Sequence, residues 1–257
     1  MPQIVVTGAF GQIGSELTSA LREQYGPANV VATGRRVPKA ASSTGPAEVL
    51  DVTDAASVQD TFRRLEPDIV YHLAARLSAV AEQDPESAWN VNVEGLRNVL
   101  RAAHDVAAER MFWPSSIAAF GPDTPRTAVP QDTIMRPTTI YGIAKVAGEL
   151  LCNYYLARYG LDVRGVRYPG VISSGSPPGG GTTDYAVEIF YAALQQGKYT
   201  AFVREDCVLP MIYMPDCINA ATKLMQAPRE RLLHHNSFNV TAMSFSAGEL
   251  AREIQRH

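Results

Sequence analysis

Tyr141 and Lys145 stand four residues apart in Tyr141-Gly142-Ile143-Ala144-Lys145, within a stretch of helical periodicity. Side chains at that spacing share one helix face. An ammonium beside a phenol favours the phenolate and draws its pKa down from about 10 toward working pH. Tyr141 is therefore a candidate general base for an alcohol proton, with Lys145 as its tuning cation. A Tyr/Lys pair alone is a common surface arrangement. Ser115 and Ser116 add weight, because they close the preceding strand-like run, where a hydroxyl can orient a substrate oxygen. Near the N-terminus, Gly8-Ala9-Phe10-Gly11-Gln12-Ile13-Gly14 follows one apolar run and opens a helical one. Glycines so spaced allow a tight turn, let backbone N–H groups approach a pyrophosphate, and set that anion on a helix N-terminus. With a strand before and a helix after, the turn reads as a dinucleotide site.

The elements that must position these groups follow from periodicity. Residues 3–7, 29–33, 68–73, 110–115 and 162–168 are predicted strands, with a weaker one at 48–50. Residues 12–25, 55–66, 88–108 and 139–159 are predicted helices. Such alternation implies an α/β fold, a doubly wound parallel sheet of the Rossmann type with helices on both faces. The runs Ile4-Val5-Val6 and Ile69-Val70-Tyr71 lack alternation, as strands buried on both sides should. After Gly170 the pattern loosens: a Ser/Gly/Pro loop at 173–181, a helix at 185–196, a strand at 199–203, a mixed segment, a helix at 216–226 and a short strand at 238–240. Ser246 and Glu249 have capping-box spacing. The expected organisation is a dinucleotide-binding domain at 1–170 and a substrate-binding lobe at 171–257, interleaved with it and shortened at its C-terminus.

The usual fingerprint puts an acid at the end of the second strand to bind the ribose 2′-hydroxyl. This chain reads Thr33-Gly34-Arg35-Arg36 there, with no acid. Glycine leaves room for a 2′-phosphate and arginine could pair with it, so NADP stands beside NAD; solvated arginines, or arginines stacked on adenine, are the other reading. Asp51 and Val52 could meet an adenine amino group and ring, or Asp51 could open a helix. Leu73-Ala74-Ala75 is small enough for close passage of a cofactor.

The chain has 257 residues, 46% apolar and 19% charged, with 23 Lys+Arg against 26 Asp+Glu and a net charge of −3. That is ordinary for a packed protein and lacks the basic excess of a nucleic-acid binder. Cys152, Cys207 and Cys217 form no close pair, which points to a reduced compartment, and no run is long enough to span a bilayer. A cytoplasmic protein without a leader is the expectation. No Cys/His set suits a metal. His72 is expected to pack at a strand end, His104 to be exposed, and His234-His235 to lie in a polar loop; Met211, Met214 and Tyr213 are expected in packing.

The glycine turn, His72-Leu73-Ala74-Ala75, Asn92 with Gly95, Ser116, and Tyr141 with Lys145 resemble the extended short-chain dehydrogenase/reductase family. Four further stretches resemble its short-chain-type L-threonine 3-dehydrogenases: Phe112-Trp113-Pro114-Ser115-Ser116-Ile117, Arg167-Tyr168-Pro169-Gly170, the run from Gly180 to Glu188, and the run from Leu209 to Asp216. The resemblance spans essentially the whole chain. It implies that Tyr141 takes the proton from the β-hydroxyl of L-threonine, that Lys145 holds the nicotinamide ribose, and that Ser116, with Ser115 as competitor, binds the reacting oxygen. Hydride would pass from the β-carbon to NAD or NADP, giving 2-amino-3-oxobutyrate. The resemblance also places Gly8, Phe10, Gly11, Gln12, Ile13, Gly14, Arg35, Asp51, Val52, Leu73, Ala74, Ala75, Asn92, Tyr168, Pro169 and Val171 at the cofactor. Ser78, Thr182, Thr183 and Asp184 would face the ammonium and carboxylate of the amino acid, and a homodimer through the helices at 88–108 and 139–159 is implied. Two departures stand out: Gly34 where the family has Asp, and an end short of the family's usual length.

Sugar-nucleotide epimerases and dehydratases share the scaffold. Dehydratases carry acids after the position of Ser116, where this chain has Ile117 and Ala118, and the epimerases favour Asn where Pro169 offers no donor. A UDP-sugar 4-epimerase-like enzyme is thus disfavoured, as is a non-catalytic dinucleotide-binding protein, given the complete Ser, Tyr and Lys set.

Overall fold

The computed structural model describes residues 1–175, 179–234 and 236–257. The middle of the expected 173–181 loop and His235 lie outside the described residues. β1 (Ile4–Thr7), β2 (Val30–Gly34), β3 (Ala47–Val49), β4 (Ile69–His72), β5 (Arg110–Phe112) and β7 (Asp162–Arg164) form one all-parallel sheet in the order β3-β2-β1-β4-β5-β7. Alternation of side chains along each strand feeds two cores. Val5, Val31 and Val70 meet Val58, Phe62, Leu96 and Leu100 from α2 (Ala55–Leu65) and α5 (Gly95–Asp105). Ile4, Val6, Val30 and Tyr71 meet Leu17 and Leu21 of α1 (Gln12–Tyr25) and Cys217, Ala221 and Met225 of α8 (Met214–Gln226). The doubly wound sheet is as the sequence implies.

The differences have local causes. The expected helix at 88–108 starts earlier: Asp84 caps it by accepting from the Ser87 N–H, and Pro85 takes a first-turn position that needs no donor. It runs as α4 (Pro85–Trp89), a π turn (Asn90–Glu94) and α5, after the short α3 (Ser78–Gln83). The expected strand at 110–115 divides into β5 and β6 (Ser115–Ser116), and that at 162–168 into β7 and β8 (Val166–Tyr168). At Gly165 a Cβ would lie 2.1 Å from the Trp113 carbonyl oxygen, so only glycine allows this crossing. β6, β8 and β11 (Phe238–Asn239) then make a small sheet of their own. α6 (Ile140–Tyr159) is capped by Thr139, whose hydroxyl accepts from the Gly142 N–H.

Residues 199–203 form no strand. Tyr199 instead donates to Glu188 of α7 (Tyr185–Gln196), and Phe202 packs edge-on against Tyr185. The third sheet comes from the segment without a clear sequence pattern: β10 (Val208–Tyr213) lies between β9 (Gly170–Ile172) and antiparallel β12 (Met243–Ser246). Pairing of β10 with β9 begins only at Met211, so Pro210, which has no N–H, sits beyond it. Both capping-box hydrogen bonds form between Ser246 and Glu249 at the start of α9 (Ala247–Arg256). Met211 and Met214 are buried and His72 packs at a strand end, but Tyr213 is 42% exposed rather than packed. Among the described residues no helix is long and apolar enough to cross a membrane, and no group of three His, Cys, Asp or Glu could hold a metal.

Candidate active site

Each glycine of the turn meets a different constraint. Gly8 has φ +68°, and a Cβ there would lie 2.5 Å from the Ala74 nitrogen. A Cβ on Gly14 would lie 2.1 Å from the Gly8 oxygen, which is what lets α1 pack so close to its strand. A Cβ on Gly11 would meet only the Gly8 oxygen, at 3.4 Å, and otherwise open space. The protein leaves that space free. No side chain caps α1 at Gly11, and the side-chain amide nitrogen of Gln12 is buried in the cleft with no partner. Uncapped helix N–H groups, a cradle that one methyl would enter and an orphaned donor fit a dinucleotide pyrophosphate. The cleft opens at the carboxyl ends of β1 and β4, where the strand order reverses.

Two adjoining cavities share Gly8, Gly11, Arg35, Leu73 and Ala75. The first, about 610 Å³, is walled by Phe10, Gly34, Arg36, Asp51, Val52 and Ala74 among others. Asp51 accepts from the backbone N–H and hydroxyl of Thr53, while the cap of α2 is Asp54, so Asp51 is not that helix's N-cap. Asn92 lines neither cavity. Its side chain accepts from the Arg76 N–H and donates to the Arg76 carbonyl, fixing the strand-end loop from behind.

The second cavity, about 630 Å³, brings together Ile13, Ser115, Ser116, Tyr141, Lys145, Tyr168, Pro169 and Val171 with Ser78, Thr182, Thr183 and Asp184. Tyr141 and Lys145 face it from α6, both buried. Burial pushes the Tyr141 phenol up to about 12, against the pull of a hydrogen bond with Ser116. This departs from the expectation that Lys145 brings it down. The ammonium is turned to the Pro114 carbonyl at 2.6 Å and over the Trp113 ring, and burial lowers Lys145 itself to about 8. The Ser116 oxygen accepts from the Ala118 N–H, while Ser115 is taken out of contention: its hydroxyl donates to Glu149 at 2.5 Å. Glu149 in turn holds Arg167 through both carboxylate oxygens at 2.8 Å.

Across the cavity, Asp184 accepts from the Gly180 and Gly181 N–H groups at 2.7 Å, and burial raises its pKa against those bonds. Its carboxylate closes its own turn. The Ser78 hydroxyl accepts from the Thr182 N–H at 3.1 Å, linking α3 to that turn, and Thr183 packs against Gly170. Arg76, Leu77 and Glu149 carry no motif signal of their own, and Arg167 and Leu209 stand in family-like stretches without a site role assigned to them. Glu149 is legible in retrospect, since it continues the Tyr141, Lys145 face by one more turn. Arg76 had only its place after the small strand-end residues as a signal.

A dinucleotide cleft with a Ser, Tyr and Lys set on a doubly wound sheet defines a class of nicotinamide-dependent oxidoreductases. Comparison with known proteins is consistent with that. Residues 4–241 match the NAD dependent epimerase/dehydratase family, and the chain belongs to it, within the extended short-chain dehydrogenase/reductase group. An "Uncharacterized epimerase/dehydratase" of Staphylococcus haemolyticus is 48% identical over 100% of this chain and 81% of its own length. The holo structure of a GalE-like L-threonine dehydrogenase from Cupriavidus necator superposes with a TM-score of 0.95 at 50% identity, covering 99% of this chain and 82% of that one. A monomeric L-threonine 3-dehydrogenase from a metagenome does so at 0.96 and 46% identity, covering 99% and 82%.

Proposed function

We propose that this chain oxidises L-threonine at its β-carbon, as an L-threonine 3-dehydrogenase. The observation that carries the reading is the convergence of Tyr141, Ser116 and Lys145 on the cavity that adjoins the phosphate-binding turn. Gly8, Gly11, Gln12, Ala75 and Val171 line the cleft that would hold a nicotinamide dinucleotide, whose ring would accept the hydride from the β-carbon. Tyr141 as phenolate takes the β-hydroxyl proton, Ser116 hydrogen-bonds the same oxygen, and Lys145, held by the Pro114 carbonyl, would anchor the nicotinamide ribose. The carbonyl product, 2-amino-3-oxobutyrate, readily loses carbon dioxide. Ser78, Thr182 and Thr183 would meet the amino acid's polar ends, with Asp184 shaping their turn. Residues 1–170 mainly supply the cofactor side and 171–257 mainly the substrate side, the two interleaved where Ser78, Ser116, Tyr141 and Val171 line one cavity.

The family also holds epimerases, so the decisive experiment assays L-threonine and UDP-galactose in parallel with both cofactors. Reduced nicotinamide from threonine alone supports the proposal; product sugar from UDP-galactose overturns it. A homodimer is proposed through α5 and α6, where Leu150, Tyr154 and Tyr159 stand exposed beside one another on α6. Light scattering giving twice the chain mass supports it; the chain mass alone, as the metagenome relative's description would suggest, overturns it.

A further inference from the structure

We infer that the adenosine end of the cleft is built for a 2′-phosphorylated ribose, so that the chain prefers NADP(H) to NAD(H), with Arg35 the residue that decides. The inference rests on the reading of the cleft as a dinucleotide site and specifies which dinucleotide.

Three observations converge. First, the end of β2 has no acid, and the place where one would start is filled. A Cβ at Gly34 would lie 2.9 Å from the Phe10 ring, which leans over that residue and packs on the core. A carboxylate there would accept from a ribose diol and repel a phosphate; a bare glycine under an aromatic ring does neither. Second, Arg35 and Arg36 both wall the first cavity, and Arg35 walls the second as well. Among the described residues neither makes an ion pair or a side-chain hydrogen bond, unlike Arg22, whose guanidinium is occupied by Thr44 and the Val30 and Pro46 carbonyls. Two free guanidinium groups at the position of the missing acid suit a phosphate dianion, which arginine grips with paired N–H groups. Third, the charge balance of that wall is positive. Its acid is Asp51, and one of that carboxylate's oxygens already accepts two hydrogen bonds from Thr53. The discrimination therefore has both an attractive part, from Arg35 and Arg36, and a missing repulsive part, at Gly34.

The test titrates 2′,5′-ADP and 5′-ADP into the whole protein by calorimetry at low and high salt, with no turnover needed. Charge-assisted hydrogen bonds to the extra phosphate predict 2′,5′-ADP binding at least about tenfold tighter, with the ratio shrinking as salt screens it. Arg35→Ala should bring the two affinities close together, and Arg36→Ala should narrow the gap less. Both arginines are exposed, so both variants should fold. In parallel, kcat/KM for NADP with L-threonine should exceed that for NAD. Equal or tighter binding of 5′-ADP overturns the 2′-phosphate preference and leaves the dinucleotide reading standing. Failure of both nucleotides to bind overturns the two together.

Discussion

Tyr141 sits in a burial that works against its proposed task. With the phenol pushed up to about 12 and Lys145 down to about 8, the folded protein holds Tyr141 protonated at neutral pH. The sign follows: below that value the phenolate fraction grows about tenfold per pH unit, so kcat/KM for threonine should climb from about pH 6 to about pH 8, above which Lys145 gives up its charge. A flat profile over that span would remove Tyr141 as the base. Tyr141→Phe should lower turnover by about a hundredfold or more while nucleotide binding persists, read by steady-state rates beside calorimetry. The two serines separate cleanly. Ser116→Ala should lose rate with little change in stability. Ser115→Ala removes a donor to the buried Glu149 carboxylate and should cost about 1.5–3 kcal/mol of unfolding free energy while activity in the folded protein is largely kept. The reverse pattern in urea titrations and rates would exchange their roles.

Between residue and fold lies the glycine turn, where the glycines ought to fail differently. Gly14→Ala forces a Cβ to within 2.1 Å of the Gly8 oxygen, so α1 must back away from Leu17 and Leu21's partners, at about 1–3 kcal/mol. Gly11→Ala adds a methyl to open space, so the thermal midpoint should hold and 5′-ADP binding should fall. If Gly11→Ala unfolds the protein or binds normally, the cradle is misassigned. The same contrast explains what was legible in the sequence. The turn, the buried strands and α1, α2, α6 and α7 are written in local spacing, and the structure returns them nearly residue for residue. The break at Gly165 is not, because it answers to the Trp113 carbonyl, which comes from the distant connection between β5 and β6. β10 was hidden by Pro210, and the Tyr199 segment looked like a strand but found no neighbour to pair with. At the site, Tyr141, Lys145 and the Ser115-Ser116 pair are legible from type and spacing, and the preference for Ser116 comes from the family resemblance. That Ser115 and Asp184 spend their polar atoms on the protein itself was not, since their partners come from α6 and from a backbone turn.

Over the whole molecule, the second part of the chain is tied into the sheet rather than appended to it. Arg164, buried in β7, holds Asp162 beside it and reaches the Leu224 and Ala227 carbonyls at the end of α8. Arg164→Met leaves that carboxylate and those carbonyls without the guanidinium and should cost about 3–5 kcal/mol, with the site's rate constants little changed in the folded fraction. The sheet also carries an acid-sensitive point. His72 ends β4, buried, with its Nδ1 2.6 Å from the Thr7 hydroxyl and its Nε2 without a partner. Burial, helped by Lys145, lowers its pKa from 6.5 to about 3. Above about pH 6.5 the ring is neutral folded or unfolded, and its protonation costs nothing. Between those values the unfolded chain takes a proton that the folded protein refuses, so stability is lost as pH falls. From about pH 6.5 to about pH 5 this one ring should remove about 2 kcal/mol. His72→Gln, which cannot titrate, should start less stable but decline less steeply by that amount when urea unfolding is measured at both pH values. Parallel losses in the two proteins would show that the carboxylates alone set the acid limit.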